Sequence, residues 1–475
     1  MNATDALALL PLLLLAGTAV VVMLGITVKR NHKLTLGLTL TGFAASFVSV
    51  CAIAPLVPRQ VTSLLMIDRY ALFYLGLIIA SAAAVAVLSY QYFAKHEGQR
   101  EELYLLLVLA TLGCGVLVTS VHFASFLLGL EILSVSLYAM VAYFTAHGQA
   151  LEAGIKYLIL ASASAAFLLF GMALIYADTG NMAFSSIRDL SLDRSNLVLL
   201  LPGIALSVTG IGFKLGVVPF HLWTPDVYEG APAPVSAFVA TTSKTAVVAL
   251  LVRFLAAGTQ QSAAVFLVFS VIAVASMFAG NLLALRQNNV KRVLAYSSIA
   301  HFGYIFVAFL AGTTLMAGAV AFYLVAYTVT ILTAFGIITV LSTSEADAAD
   351  LEDYRGLFWR RPVLASVFTA VLLSLAGIPA TMGFIGKFYI LASGANASAW
   401  PLIIVLVLTS VIGLFYYLRI VVTLFSTVAE PQSSKQRLGW GSAFVLGGLA
   451  ALLIWFGVYP APLLNLIRAT MGGLN

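Results

Sequence analysis

The sequence predicts an all-α polytopic membrane protein of about fourteen transmembrane helices. Three observations predict it. The 475 residues are 62% hydrophobic and only 9% charged, against roughly 25% charged in an ordinary soluble protein. The apolar residues fall in runs long enough to cross a bilayer, which takes about 20 residues at ~1.5 Å rise each. These runs do not alternate with period two, which excludes the ~10-residue strands of a β-barrel. A globule in water could not cover this much apolar surface, so lipid must be the solvent.

The predicted spans are 6–28, 34–56, 68–93, 103–121, 123–146, 151–177, 197–221, 232–256, 262–284, 290–311, 315–342, 362–394, 399–427 and 438–458. The first follows Asn2 and Asp5 rather than a basic segment, so it reads as a span and not as a cleavable signal. The longest loops are 178–196, polar and turn-rich, and 343–361, acidic and then basic. Neither separates a soluble domain, so residues 1–475 read as one transmembrane domain.

Orientation follows from the excess of Lys and Arg in cytoplasmic loops. Loops after odd-numbered spans carry Lys29, Arg30, Lys33, Lys95, Arg100, Arg286, Lys291, Arg292, Arg355, Arg360, Arg361, Lys435 and Arg437. The even-numbered loops, their span ends and the tail carry Arg59, Arg69, Arg188, Arg194, Arg253 and Arg468. Thirteen against six places the odd loops in the cytoplasm and both termini outside. The same segregation supports the span count, because one missed span would scramble it.

Several function classes are excluded. The net charge of +6 comes from scattered basic residues with no soluble domain to carry a basic face, so nucleic acid is not a partner. Cys51 and Cys114 both lie in apolar runs and read as small buried hydrophobes. Two thiols do not make an iron–sulfur site, which usually takes four. No metal-ligand spacing, Gly-rich nucleotide loop or nucleophile–base arrangement is visible.

The ionisable residues inside spans are the candidates for function, since each costs roughly 2.5–3.5 kcal/mol at mid-membrane on insertion scales. Glu131, in SFLLGLEILSVSLYAM, is the one acidic residue well inside a span. Desolvation opposes its charge and a nearby lysine favours it, so a small rearrangement can load or unload a proton. Lys214 sits in GIGFKLGVVPFHLW. A buried lysine can exchange its proton near neutral pH, which an arginine cannot. Pro219 with Gly210, Gly212 and Gly216 predicts a broken helix there, tolerated only when buried in protein or lining water. His221, seven residues on, is placed two turns along the same face, as a relay toward the cytoplasm.

Lys244 lies about twelve residues into its span, too deep to snorkel, with Thr241, Thr242 and Ser243 as hydroxyls to hold water. His301, in AYSSIAHFGYIFVAF, is either a relay or a hydrogen-bonded core histidine. Lys387 follows Gly377 and Pro379, which predict a second broken helix. Lys156, five or six residues into its span, can snorkel as readily as take part, and Arg419 stays charged and suits biasing its neighbours. The set resembles a row for moving protons rather than a substrate pocket.

An internal repeat is visible faintly. Lys214 and Lys387 are 173 residues apart, and the same offset takes Glu131 to Tyr304, near His301, and Lys244 to near Arg419. Spans 4–8 (103–256) and 9–13 (257–429) are then two five-helix units, after three helices in 1–102 and before a C-terminal helix and tail in 430–475. An odd number of helices per unit makes the second unit inverted.

KLGVVPFHLWTPDVYEGAPAPVSAF (214–238) and SLAGIPATMGFIGKFYIL (374–391) resemble the antiporter-like membrane subunits of respiratory complex I and of Mrp-type antiporters. The wording WTPDVYEGAP (223–232) and the lysine at Lys387 are similar to the N branch of that family rather than its L and M branches. The resemblance implies fourteen core helices, two inverted five-helix repeats, and broken helices 7 and 12. It implies a glutamate–lysine pair at Glu131 and Lys214, a linking lysine at Lys244, a terminal lysine at Lys387, and His221 and His301 along the axis. It also implies a multi-pass subunit of the bacterial inner membrane, partnered by the other membrane-arm subunits of an NADH:quinone oxidoreductase. FMN, iron–sulfur clusters and quinone would then belong to other subunits, with no cofactor in this chain. An Mrp-type cation/proton antiporter subunit is the alternative. A stand-alone solute transporter and a passive scaffold fit the dispersed charges less well.

Overall fold

The computed structural model describes residues 2–96, 98–144, 148–187, 197–256, 263–310, 313–427 and 438–472. Arg188, Arg194, Lys435 and Arg437, four of the basic residues that set the predicted orientation, lie outside them.

The chain is a bundle of helices in the following order. The N-terminal part holds α1 (Ala3–Ala8), α2 (Leu10–Val28), α3 (His32–Ala52) and α4 (Arg69–Ala94). Next come α5 (Glu102–Thr119), α6 (Phe123–Val141), α7 (Gly148–Thr179), α8 (Leu197–Leu215), α9 (Trp223–Gly230), α10 (Ala233–Phe238) and α11 (Lys244–Ala256). The second half holds α12 (Ala263–Ala284), α13 (Val290–Ala308), α14 (Thr313–Leu341), α15 (Leu357–Arg360), α16 (Pro362–Ala376), α17 (Met382–Asn396) and α18 (Trp400–Phe425). Two helices close the chain, α19 (Trp440–Val458) and α20 (Ala461–Met471). A two-residue antiparallel pair, Arg59–Gln60 with Met66–Ile67, is a loop feature.

Among the described residues, twelve helical segments are long and apolar enough to cross a membrane. The predicted tenth span is the 19-residue α13, and the predicted twelfth is two 15-residue helices, α16 and α17; neither is among the twelve. Helix starts are set by side chains that satisfy free backbone N–H groups. Asp68 accepts from the Ala71 N–H, Asn289 from Arg292 and Thr381 from Phe384.

Large apolar side chains such as Val135, Phe170, Val411 and Phe415 point outward, while lysines, a histidine, serines and threonines are buried. An apolar exterior around buried ionisable groups is what lipid as solvent requires. The α10–α11 segment and α14 form the centre, with 100% and 89% of their span windows buried, against 39% for α2. Tight helix pairs rest on glycines. A Cβ on Gly113 would come within 2.6 Å of the Leu133 backbone nitrogen, and one on Gly280 within 2.6 Å of that of Ala300.

The two broken helices share one device. The helix α8 ends at Gly216 (φ 68°), three residues before Pro219, and α16 ends at Gly377 (φ 86°), two residues before Pro379. Gly216 and Gly377 are 161 residues apart. The starts of α12, α13, α14, α16 and α18 follow those of α5, α6, α7, α8 and α10 by 161 to 167 residues. The offset of 173 expected from the lysines is therefore corrected. Lys214 stands just before the first break and Lys387 ten residues beyond Gly377, so the two lysines occupy different places in their broken helices.

Two smaller features were not predicted. Residue Leu9, just before Pro11, divides the first span into α1 and α2. The tail forms α20, whose Leu463, Ile467 and Met471 recur at intervals of four and are buried.

Candidate functional site

The first break brings Lys214 to the end of α8, 3% exposed, with its ammonium donating to the Tyr157 hydroxyl at 3.2 Å. Trp223, the first residue of α9, donates its indole N–H to the Phe213 carbonyl at 2.7 Å, an oxygen in the last turn of α8 that also accepts from the Gly216 N–H at 2.9 Å. The rings of Tyr157, Phe213 and Trp223 pack together beside the lysine.

Glu131 on α6 is half-buried, and its Oε1 has no hydrogen-bond partner among the described residues. No ion pair joins it to Lys214, so the two interact through space rather than by contact. The expected pairing is corrected accordingly: a tyrosine hydroxyl, not the carboxylate, holds the ammonium. The expected place of His221 is also corrected. Gly216 ends the helix and residues 217–222 are irregular, so His221 does not share a helical face with Lys214. It is half-buried, and its Nδ1 has no hydrogen-bond partner among the described residues.

Lys244 is fully buried and follows a π-helical turn, Val239–Ser243. Its ammonium donates to the Ser298 hydroxyl at 2.9 Å and lies over the rings of Phe302 (4.7 Å), Tyr228 (5.4 Å) and Trp223 (5.8 Å). Two of the three hydroxyls expected to hold water around it are engaged elsewhere. Thr241 bonds to the Ala237 carbonyl and Thr242 to Ser81. The Gly216 backbone instead packs closely against Lys244. A Cβ on Gly216 would lie 3.3 Å from the Lys244 ammonium and 2.3 Å from the Thr224 hydroxyl, which is buried and has no partner among the described residues.

Ser298 passes the connection on, since the Tyr327 hydroxyl donates to it at 2.8 Å. His301, 5% exposed, bonds through Nδ1 to Tyr323 (2.6 Å) and through Nε2 to Tyr417 (3.2 Å), and Tyr417 bonds to Ser297 (2.5 Å). A cavity of about 10 Å³ is lined by His301, Tyr323, Tyr327, Thr330 and Ser374 among others. That volume is near the minimum for one water, and the surface facing it is mostly apolar.

The second break places Lys387 against the end of α16. Its ammonium donates to the carbonyls of Leu375 and Ala376, both at 2.9 Å, and to the Ser410 hydroxyl at 2.7 Å. These carbonyls are orphaned by the break and carry the negative end of the helix dipole, so a cation fits there.

Lys214, Lys244, His301 and Lys387 are thus the predicted residues that the fold buries in one polar row. Lys156 is not in it. Its side chain is 45% exposed and pairs with Glu152 (2.7 Å) and Asp226 (2.9 Å) in a rim of charges that Arg292 and Glu229 extend. Arg419 donates to the carbonyls of Leu285 and Gln287 near the end of α12. The reading of isolated charges missed the hydroxyls, Tyr157, Ser298, Tyr323, Tyr327 and Tyr417. The signal for them was there, as uncommon polar groups inside apolar runs. Among the described residues, no group of three or more His, Cys, Asp or Glu side chains could hold a metal ion.

Residues 120–413 match the family model described as NADH:quinone oxidoreductase/Mrp antiporter, transmembrane. The NADH-quinone oxidoreductase subunit N of Ectopseudomonas mendocina is 48% identical over 98% of this chain and 97% of its own. A chain of respiratory complex I from Thermus thermophilus superposes with a TM-score of 0.82 at 32% identity, covering 96% of this chain and 98% of that one. A chain of the Mrp complex from Dietzia superposes with a TM-score of 0.88 at 19% identity, covering 100% and 98%, which is a likeness of fold alone.

Proposed function

The chain belongs to the NADH:quinone oxidoreductase/Mrp antiporter family, in its subunit N branch, and on that premise we propose a route by which it moves protons. It is a multi-pass, proton-translocating membrane subunit of a respiratory complex, working beside other membrane subunits. We take electron transfer, with its FMN, iron–sulfur clusters and quinone, to reside on those other subunits. We count α13 and the α16–α17 pair as crossings, which makes fourteen, and the charge asymmetry puts both termini on the periplasmic side.

The observation that carries the route is the buried chain Lys244–Ser298–Tyr327, which meets His301 at the cavity beneath the second break. In this reading Glu131 sets the proton affinity of Lys214 through space. Lys214 exchanges with Lys244 past Gly216, by way of the Thr224 hydroxyl. The proton then passes through Ser298 and Tyr327 to a water against His301, and reaches Lys387 past Ser374 and Leu375. Buried lysines and a histidine suit this task because each can hold or release a proton near neutral pH. His221 stands toward the cytoplasmic side of Lys214, and Lys156 belongs to the charged rim.

The test uses the whole complex in proteoliposomes, with NADH-driven proton uptake read by a pH dye. Lys214→Ala in the assembled complex loses uptake together with quinone-linked turnover. Full uptake in that variant would sink the route.

A further inference from the structure

The sequence counted Lys291 as a loop charge, but it is 1% exposed. Its ammonium donates to the carbonyls of Glu229 and Ala231, both at 2.7 Å, and to Asp347 Oδ2 at 2.6 Å. The carbonyls of Glu229 and Ala231 belong to the C-terminal end of α9, the half-helix beyond the first break. Like Leu375 and Ala376, they lack intrahelical partners and mark the negative end of a helix. Lys291 therefore does for α9 what Lys387 does for α16.

Asp347 adds a direction to this cap. It lies in the stretch that runs from α14 toward the second broken helix. Its other oxygen accepts from the Tyr92 hydroxyl of α4 at 2.8 Å. The same stretch is stitched to the start of α13 by backbone bonds, Val290 N–H to Ala349 (2.6 Å) and Leu351 N–H to Asn288 (2.9 Å). Arg292 reinforces the joint through Asp226 and Glu229. On the inner side, α9 carries Trp223 and Tyr228, two of the three rings around the Lys244 ammonium. A shift at Asp347 thus reaches the shell of Lys244 through one ammonium and one half-helix.

We infer that Lys291 is a positioning residue that ties the end of the first broken helix to the segment feeding the second, and that translocation requires this tie. The inference rests on the proton route proposed above. A buried cation with one carboxylate and two helix-end carbonyls has a single geometry, so it transmits displacement, whereas a solvated loop lysine would absorb it. The tie joins the two repeat units on the side of the odd-numbered loops.

The test uses membranes holding the whole complex, with Lys291→Met, Asp347→Asn, the double variant and Lys291→Arg. NADH–ferricyanide activity reads the assembled redox module, and NADH–quinone turnover with proton uptake reads coupling. Lys291→Met and Asp347→Asn keep the first and lower the second roughly twofold to thirtyfold, the range seen along coupled networks. The double variant is no worse than Lys291→Met, and Lys291→Arg recovers most of the loss. Full coupled turnover in assembled Lys291→Met, or additive losses in the double variant, overturns the tie. If Lys291→Met fails to assemble, Asp347→Asn and Tyr92→Phe decide, and full turnover in both overturns it. Lys214→Ala is the control: pumping lost there but full in Asp347→Asn removes the tie alone, while full pumping in Lys214→Ala removes the route beneath it.

Discussion

The Lys244 ammonium and the Ser298 hydroxyl meet at 2.9 Å across α11 and α13, in a shell closed by three aromatic rings. This contact joins the two halves of the molecule at its centre, since Lys244 belongs to the first unit and Ser298 to the second. A hydroxyl is suited to the place because it accepts from the ammonium with one lone pair and, once the Tyr327 hydroxyl turns from donor to acceptor, can donate onward with its own proton.

Ser298→Ala removes that relay without adding volume. A hydrogen bond to a charged group contributes about 1.5–3 kcal/mol, so a loss falling on the transfer step slows it roughly tenfold to a hundredfold. NADH–quinone turnover with proton uptake measures this. Ser298→Thr, which keeps the hydroxyl, retains most of the activity. Equal loss in the alanine and threonine variants would count against the relay and for a packing role.

Lys214→Arg separates proton exchange from charge. Arginine keeps the positive charge and can still donate to Tyr157, but it does not deprotonate in a protein. The complex therefore assembles, and its proton uptake falls as far as in Lys214→Ala. Retained uptake in the arginine variant would mean that the residue acts as a fixed charge.

Much of this was legible in the sequence for a physical reason. Lipid as solvent makes every buried charge costly, so Lys214, Lys244, His301 and Lys387 stand out from an apolar background. The Gly–Pro pairs announced both breaks. What the sequence did not reveal depends on where side chains meet. Seven residues from Lys214 reads as the same face only if the helix continues, and Gly216 ends it before His221. Lys291 and Arg253 sit at span ends, where a basic residue ordinarily marks a loop, and only the fold shows that partners bury them. The offset between Lys214 and Lys387 reflected similar chemistry, not equivalent positions.

Gly377→Ala tests the second break. Gly377 has φ 86°, and an added Cβ would lie 2.8 Å from Lys387 Cδ and 3.2 Å from its ammonium. Alanine at a left-handed position costs on the order of 1 kcal/mol or more, and here it also displaces the ammonium from the Leu375 and Ala376 carbonyls. The expected outcome is an assembled complex with coupled turnover well below the parent. Unchanged turnover would show that the Lys387 cap is dispensable.

Asp68 and Arg253 form a two-pronged ion pair at 2.8 Å in both arms, each side chain 7% exposed. The guanidinium also lies 4.9 Å from the Tyr70 ring centroid. The pair clamps the start of α4 to the end of α11, the central segment that presents Lys244. Breaking one partner of a buried pair costs about 3–5 kcal/mol, because the other charge is left desolvated and alone, whereas replacing both by apolar residues is often neutral. Asp68→Asn therefore lowers the yield of assembled complex and its thermal midpoint, and Asp68→Leu combined with Arg253→Met recovers both except for the cap on the Ala71 N–H, which leucine cannot supply. Turnover per assembled complex in the double variant then decides what the clamp is for. Normal turnover makes it a fastening of α4 to α11, and low turnover would extend the functional row to this end of the molecule.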